Sequence, residues 1–393
     1  MTPRFSIIIP YYDGLAHIEE AVQSVLGQGR DDVEVIVVDD RDPGLTGDAL
    51  DTMFPNAPQV KVVHRSQNGG TLRARRDGVL ASAGDSVLLL DQDDALAEGS
   101  LAAIDGALAD SPVDILHFGA RVVAETGDAA AARDGMESFL TPPARELAGD
   151  EILVRQFAFE DGFDWHVHHK AYRGDFARAC WGRAADVELT LSDDLYLSFI
   201  LSSSAKTYRA VGEAWYVYHL GRGETMAGNY TVDKLARVSR LDSRALSLLC
   251  DYVARPDVAS ARSDWAARLA DVRDHLIEHV ANEMADGLSL SECPGAIERI
   301  EGDWEPDALA GEFWRFVRDR AYALYDSGAY PKKDDDLYAL LDQVEAVDAH
   351  VCGEGSERYR FMRDAARRHL ADIETIAPAS RKLWRKLVQR VCG

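Results

Sequence analysis

Val87-Leu88-Leu89-Leu90-Asp91-Gln92-Asp93-Asp94 decides the fold. Four apolar residues in a row fit a buried strand, and the acidic turn behind them sets carboxylates at its carboxyl end. The same design recurs upstream, where Val33–Val38 is strand-like and ends in Asp39-Asp40. Ser6–Pro10 is a first apolar strand. Ile18, Ala21, Val22, Val25 and Leu26 then recur at i, i+3, i+4, i+7 and i+8, one face of a helix. Val60–Val63 predicts a third strand and Thr71–Ala83 a helix that tolerates Gly78. Leu101, Ile104 and Leu108 mark another helix, and Val113–Phe118 a further strand. Strands alternating with helices predict an α/β fold with a mostly parallel sheet flanked by helices on both faces. Ligands in such sheets sit beyond the carboxyl ends of the strands, where the acidic pairs fall.

Residues 121–150, rich in Ala, Asp, Gly and Pro, read as a loop, and 151–230 return to mixed structure. From 231 onward the pattern is helical. The expected organisation is an α/β domain over 1–230 and an α-helical C-terminal region over 231–393.

Of the 393 residues, 47% are apolar, enough for a sizeable core, while a net charge of -24 excludes a general nucleic-acid binder. An anionic ligand would need local cations, from a metal or a few arginines. The five cysteines show no CxxC pair and suggest reduced thiols in the cytosol. No run approaches the ~20 apolar residues of a spanning helix. The opening run is stopped by Pro10 before it could serve as a signal peptide. The expectation is a cytoplasmic protein, attached at most to the inner face of a membrane. Such attachment could come from residues 380–393, Ser-Arg-Lys-Leu-Trp-Arg-Lys-Leu-Val-Gln-Arg-Val-Cys-Gly, a short basic amphipathic helix. The alternative for that segment is a final helix docked on the acidic body. The helical region could also carry a homo-oligomer contact.

Asp91-Gln92-Asp93 offers two carboxylates to a hard divalent cation, Mn²⁺ or Mg²⁺, which shares its oxygen ligands with phosphates. A solvated turn with Asp94 as helix cap is the alternative. Ser192-Asp193-Asp194 opens a helix and supplies either a general base or a cap. In Pro10-Tyr11-Tyr12-Asp13 an aromatic ring could stack on a base, and Asp40 could accept hydrogen bonds from base or ribose. A packed tyrosine and a helix cap are the alternatives. Asn68-Gly69-Gly70-Thr71 leads into a helix carrying Arg73, Arg75 and Arg76, whose amides and guanidinium groups could meet phosphate or form a solvated face. His166, His168 and His169 could serve a structural or substrate-binding role, with a second metal site as the alternative.

The order of these pieces closely resembles the family 2 glycosyltransferases. The matching stretches are Phe5 to Asp13, Ser24-Val25-Leu26-Gly27-Gln28, Glu34 to Asp40, Asn68-Gly69-Gly70 and Leu89 to Asp94. His169-Lys170-Ala171-Tyr172-Arg173 resembles the family's Asn-Lys-Leu-Tyr stretch. Ser192 to Tyr196 resembles its Glu-Asp motif, and Trp215 to His219 its following aromatic strand. The resemblance covers residues 4 to 228 and implies a GT-A fold. It further implies that Pro10, Tyr12 and Asp40 hold the nucleoside and that Asn68, Arg73, His219 and Arg222 complete the donor side. Asp91 and Asp93 would bind metal and donor, with Asp93 the direct ligand. Asp194 would be the catalytic base beside Asp193, and His166, His168, His169 and Lys170 would face the acceptor. Asp13 stands for the family's usual Asn, Arg41-Asp42 for Gly-Ser, and Asp193 for Glu. His219 to Thr225 is a plausible loop closing on the diphosphate.

The implied activity is inverting transfer of a sugar from a nucleotide-diphosphate donor, uridine diphosphate by preference, to a hydroxyl of a saccharide or lipid-linked acceptor. Its setting would be cell-surface polysaccharide or glycolipid synthesis. The rivals are a metal-dependent hydrolase using the histidines with Asp193 and Asp194, and a catalytically inactive binding protein.

Overall fold

The computed structural model describes residues 2–44, 49–222, 231–289, 291–326 and 336–371. The chain divides into two compact units. One comprises Met1–Ala227 with Ala245–Leu269, the other Gly228–Arg244 with Ala270–Gly393.

The first unit is built on a nine-stranded sheet: β1 Phe5–Tyr11, β2 Val33–Asp39, β3 Val60–His64, β4 Ser86–Leu89, β5 Ala95–Leu96, β6 Ile115–Ala124, β7 Arg145–Ala148, β8 Lys170–Arg173 and β9 Thr207–Leu220. Their order is β3-β2-β1-β4-β8-β6-β9-β5, with β7 also pairing β9. The run β3-β2-β1-β4 is parallel, as the alternation of strands and helices predicts. β8 then enters antiparallel between β4 and β6, and β9 runs parallel to β6.

β1 and β2 are buried on both faces, which is why they read as nearly continuous apolar runs, with Ser6 and Glu34 the buried polar exceptions. Ile18, Ala21, Val22 and Val25 of the helix Leu15–Leu26 join this core. The helix Thr71–Ala81 packs against β1 and β2 through Gly78, where an added Cβ would lie 2.3 Å from Ile8 Cγ2 and 2.9 Å from Val38 Cγ2. Gly78 is therefore the contact that lets the helix approach the sheet.

The stretch 121–150 departs from the expected loop. β6 runs on to Ala124, a helix spans Gly127–Phe139, and β7 follows. Thr126 caps that helix by accepting from the Ala129 amide at 3.1 Å. The alanines that made the composition look unstructured are strong helix formers.

The second unit is helical in its described residues. Leu309, Phe313, Trp314 and Val317 of the helix Pro306–Asp326 are buried, as are Leu337, Leu340 and Val344 of the helix Asp336–Asp348. No described helix is long and apolar enough to cross a membrane. Residues 380–393, and 223–225 of the stretch 219–225, lie outside the described residues.

Candidate active site

The parallel run places the carboxyl ends of β2, β1 and β4 side by side, so Asp40, Pro10-Tyr11-Tyr12 and Asp91-Gln92-Asp93 meet at one sheet edge. Gln92 fastens two of these ends together. Its Oε1 accepts from the Tyr12 amide at 2.9 Å and its Nε2 donates to the Tyr12 carbonyl at 2.8 Å. The Tyr12 ring is left 45% exposed, a free aromatic face, whereas Tyr11 is buried and donates to Asp42 at 2.8 Å. Asn68 is exposed and Pro10 half-buried.

Asp40 is buried, and its carboxylate accepts from the amides of Gly69 and Gly70 at 2.9 and 2.7 Å. Burial raises its pKa against the pull of those amides. The carboxylate thus holds the glycine turn at the start of the helix Thr71–Ala81, where Gly70 has φ 82°. Asp40 supports the edge from behind the turn, with both oxygens engaged.

Arg75 joins the sheet edge to the helix Asp193–Ser204. Its guanidinium is 5% exposed and lies 2.8 Å from Asp91 and 2.8 Å from Asp193, and it also contacts Asp194. Asp193 and Asp194 occupy the first turn of their helix, where the dipole favours negative charge. Burial pushes Asp193 up to about 7 against the opposing pull of Arg75, with Asp194 and Asp91 adding to the rise. Arg73, by contrast, pairs with Asp186 at 2.8 Å and donates to the Asp186 carbonyl. The arginine that reaches the carboxylates is therefore Arg75. Its signal was in the sequence: Leu72, Arg75 and Val79 follow helical spacing, and a cation on a buried stripe has to be paired.

Asp93 is raised by burial and by Asp91 beside it. The two carboxylates make an oxygen-only donor set, and these residues fit a hard divalent cation. Asp94 does not cap a helix. It is buried, accepting from Tyr216 Oη at 2.7 Å and from the His219 amide at 2.8 Å, and so ties the acidic turn to β9. Burial raises its pKa strongly. His219 is buried beside this bond, and Arg222 binds Glu20 and Glu125 at 2.7 and 2.8 Å and the Asp93 carbonyl at 3.3 Å. Both therefore stand beside the acidic turn.

The histidines converge on Asp164, which the sequence reading passed over. Asp164 Oδ1 accepts from Lys170 Nζ and from the His166 amide, both at 3.0 Å, and Oδ2 faces His169 Nε2 at 3.2 Å. His168, His169 and Lys170 are buried, and only His166 keeps exposed surface. Of the residues expected on the acceptor side, His166 is therefore the one with surface to offer, while His168, His169 and Lys170 lie behind it. His168 stacks on Tyr216, with centroids 4.8 Å apart and planes at 20°, and so backs the acidic turn.

Strand-end carboxylates, a glycine turn and a helix-borne acidic pair on one edge describe an α/β fold of the GT-A type. The solved structure of residues 1–349 of TarS from S. aureus shares this fold. It has a TM-score of 0.55 and 18% identity, over 93% of this chain and 91% of that one. Residues 6–173 match the family described as Glycosyl transferase family 2. The match ends before Asp193. The glycosyltransferase EpsJ of Bacillus subtilis, described as uncharacterized, is 25% identical over 226 residues, 56% of this chain and 61% of EpsJ. Glycosyltransferase GlyG of Streptococcus pneumoniae is 24% identical over 172 residues, 44% of this chain and 54% of GlyG. The matches thus span less than two thirds of these relatives' lengths.

Proposed function

We propose that the chain transfers a sugar, with inversion, from a uridine diphosphate sugar to a hydroxyl of a cell-surface polymer or its lipid-linked precursor. The observation that carries this reading is the convergence of Asp91, Asp193 and Asp194 on Arg75. One guanidinium links the donor-side turn to the base candidate, so both halves of a displacement share one fixed centre.

Asp194 retains 19% exposure and is the carboxylate able to meet an acceptor hydroxyl and take its proton as the oxygen attacks the anomeric carbon. Arg75 holds Asp194 in place, and the buried Asp193 braces Arg75 from within. The exposed Tyr12 ring offers stacking to the nucleobase, while Arg222 puts positive charge beside Asp93. Asp91 and Asp93 would hold Mn²⁺ or Mg²⁺, which when bound neutralises the departing diphosphate. Support for the donor class comes from TarS, whose crystal structures include complexes with UDP-GlcNAc and with UDP. The hydrolase rival loses its support, since two of its three histidines are buried around Asp164.

The test is a panel of nucleotide sugars offered to the purified chain with Mn²⁺, reading released nucleotide with and without surface-polymer acceptors. One uridine diphosphate sugar should be consumed, faster with acceptor, and Asp93→Asn should abolish release. Release of a different nucleotide would replace the donor assignment. Undiminished turnover in excess chelator would remove the metal from it.

A further inference from the structure

His117 on β6, Asp164 and His169 bring three ligand atoms together in the interior of the first unit, all within 4.8 Å of one another. His117 Nε2 lies 3.0 Å and His169 Nε2 3.2 Å from the same oxygen, Asp164 Oδ2. A tetrahedral zinc with bonds of about 2.0–2.1 Å needs ligand atoms about 3.3 Å apart, so two of the three edges are already at length. All three side chains are at most 1% exposed.

The outer atoms of these groups are tied down in the manner of metal ligands. His117 Nδ1 meets Tyr208 Oη at 2.7 Å and His169 Nδ1 meets His168 Nδ1 at 2.7 Å. Asp164 Oδ1 is occupied by Lys170 and the His166 amide, which leaves Oδ2 facing the two rings. His117 Nε2 is the second, independent observation. It is fully buried, and although it lies 3.0 Å from Asp164 Oδ2 it makes no hydrogen bond of good geometry among the described residues. A buried orphan nitrogen is costly, and a cation would take its lone pair.

We propose that His117, Asp164 and His169 bind a zinc ion at a site separate from Asp91 and Asp93, with a water in the fourth position. Two imidazoles and one carboxylate select zinc over Mg²⁺ or Mn²⁺, which prefer oxygen. The ammonium of Lys170 on the opposite carboxylate oxygen reinforces that choice by disfavouring an ion held through charge alone. The ion would pin β6 to the segment before β8. Through His168 stacked on Tyr216, it would also steady the floor of the acidic turn. This inference does not depend on the donor or acceptor assigned above.

The test uses the full chain expressed with added Zn²⁺ and dialysed against EDTA to strip any exposed site. On unfolding in guanidinium with a chromogenic chelator present, wild type and Asp93→Asn should each release one equivalent of zinc. His169→Asn should release at least ten-fold less. No zinc from wild type, or equal zinc from His169→Asn, would overturn the site and leave a hydrogen-bonded histidine network. Should His169→Asn fail to fold, wild type refolded with Co²⁺ decides. Intense four-coordinate visible bands support the site, and their absence refutes it.

Discussion

Arg75 faces three carboxylates with almost no solvent around it, so its charge and its fork geometry can be separated by substitution. Arg75→Ala leaves those carboxylates uncompensated and should destabilise the protein by about 3–5 kcal/mol. Arg75→Lys keeps the charge but reaches fewer partners at once. It should fold, melt only slightly lower, and release nucleotide about 10²-fold more slowly; wild-type turnover in that variant would reduce Arg75 to a structural cation. The two aspartates beside it should differ in kind. Asp194→Asn should lower kcat by about 10²-fold or more with donor KM nearly unchanged, because only the proton acceptor is lost. Asp193→Asn should be milder in kcat and should act on stability. Since the Asp193 pKa is raised, the fold holds a proton there that the unfolded chain has released between the ordinary value of 3.8 and about 7. The native state binds more protons in that window, so this group's contribution to stability is greatest below it and declines as pH rises through it. Asp193→Asn should therefore gain on wild type between pH 4 and pH 7. Urea midpoints of both proteins at several pH values would show it, and a pH-independent difference would mean that Asp193 is ionised throughout.

At the scale of elements, close approach rather than propensity governs the helix Thr71–Ala81. Gly78→Ala improves helix propensity, yet its Cβ would meet Ile8 and Val38 on two strands that cannot both retreat. A net loss of about 1–3 kcal/mol is expected, measured as a lower thermal midpoint; a higher midpoint would show that the helix can lift from the sheet. The sequence announced this helix and the four parallel strands because each is a helical stripe or an apolar run broken by no more than a single polar residue such as Glu34 or Lys61. It did not announce β8, since antiparallel entry between β4 and β6 depends on partners far along the chain. The helix Gly127–Phe139 was lost to composition, its alanines being read without their cap at Thr126. The acidic turn and the pair at 193–194 were legible because the charges follow directly on apolar runs. Asp164 was not, because a carboxylate between Phe163 and Trp165 belongs to no period, and its partners come from two separate stretches. Gln92 hid for a related reason. As the middle of an acidic triplet it looks like a spacer, whereas its amide binds the backbone of Tyr12 on the neighbouring strand end.

Across the whole molecule, a chain of net charge -24 has to neutralise the acids it buries, and the helical unit does so in two ways. Glu312, 2% exposed, is held by Arg315 at 2.8 Å and Arg358 at 2.6 Å, and arginine keeps its charge at any working pH. Asp242, 0% exposed, is held by His279 Nδ1 at 3.0 Å, with Glu283 3.7 Å from the other ring nitrogen. Histidine does titrate. Burial pulls the His279 pKa down, but the hydrogen bond and charge of Asp242, aided by Glu283, outweigh it and leave the pKa raised. A raised histidine contributes stability that is full below the unfolded value of 6.5 and is lost as pH climbs through the folded value. The ring is 37% exposed, so screening limits the effect to the order of 1 kcal/mol. Hydrogen exchange in the helix Trp265–Gly287 should therefore quicken between pH 6.5 and pH 9 by more than the intrinsic base-catalysed rise, with free amide rates subtracted. His279→Gln keeps a neutral donor near Asp242, should be less protected at pH 6, and should show no further loss on the way to pH 9. An excess loss of the same size in His279→Gln would mean that another group, not the His279–Asp242 pair, makes this helix sensitive to alkali.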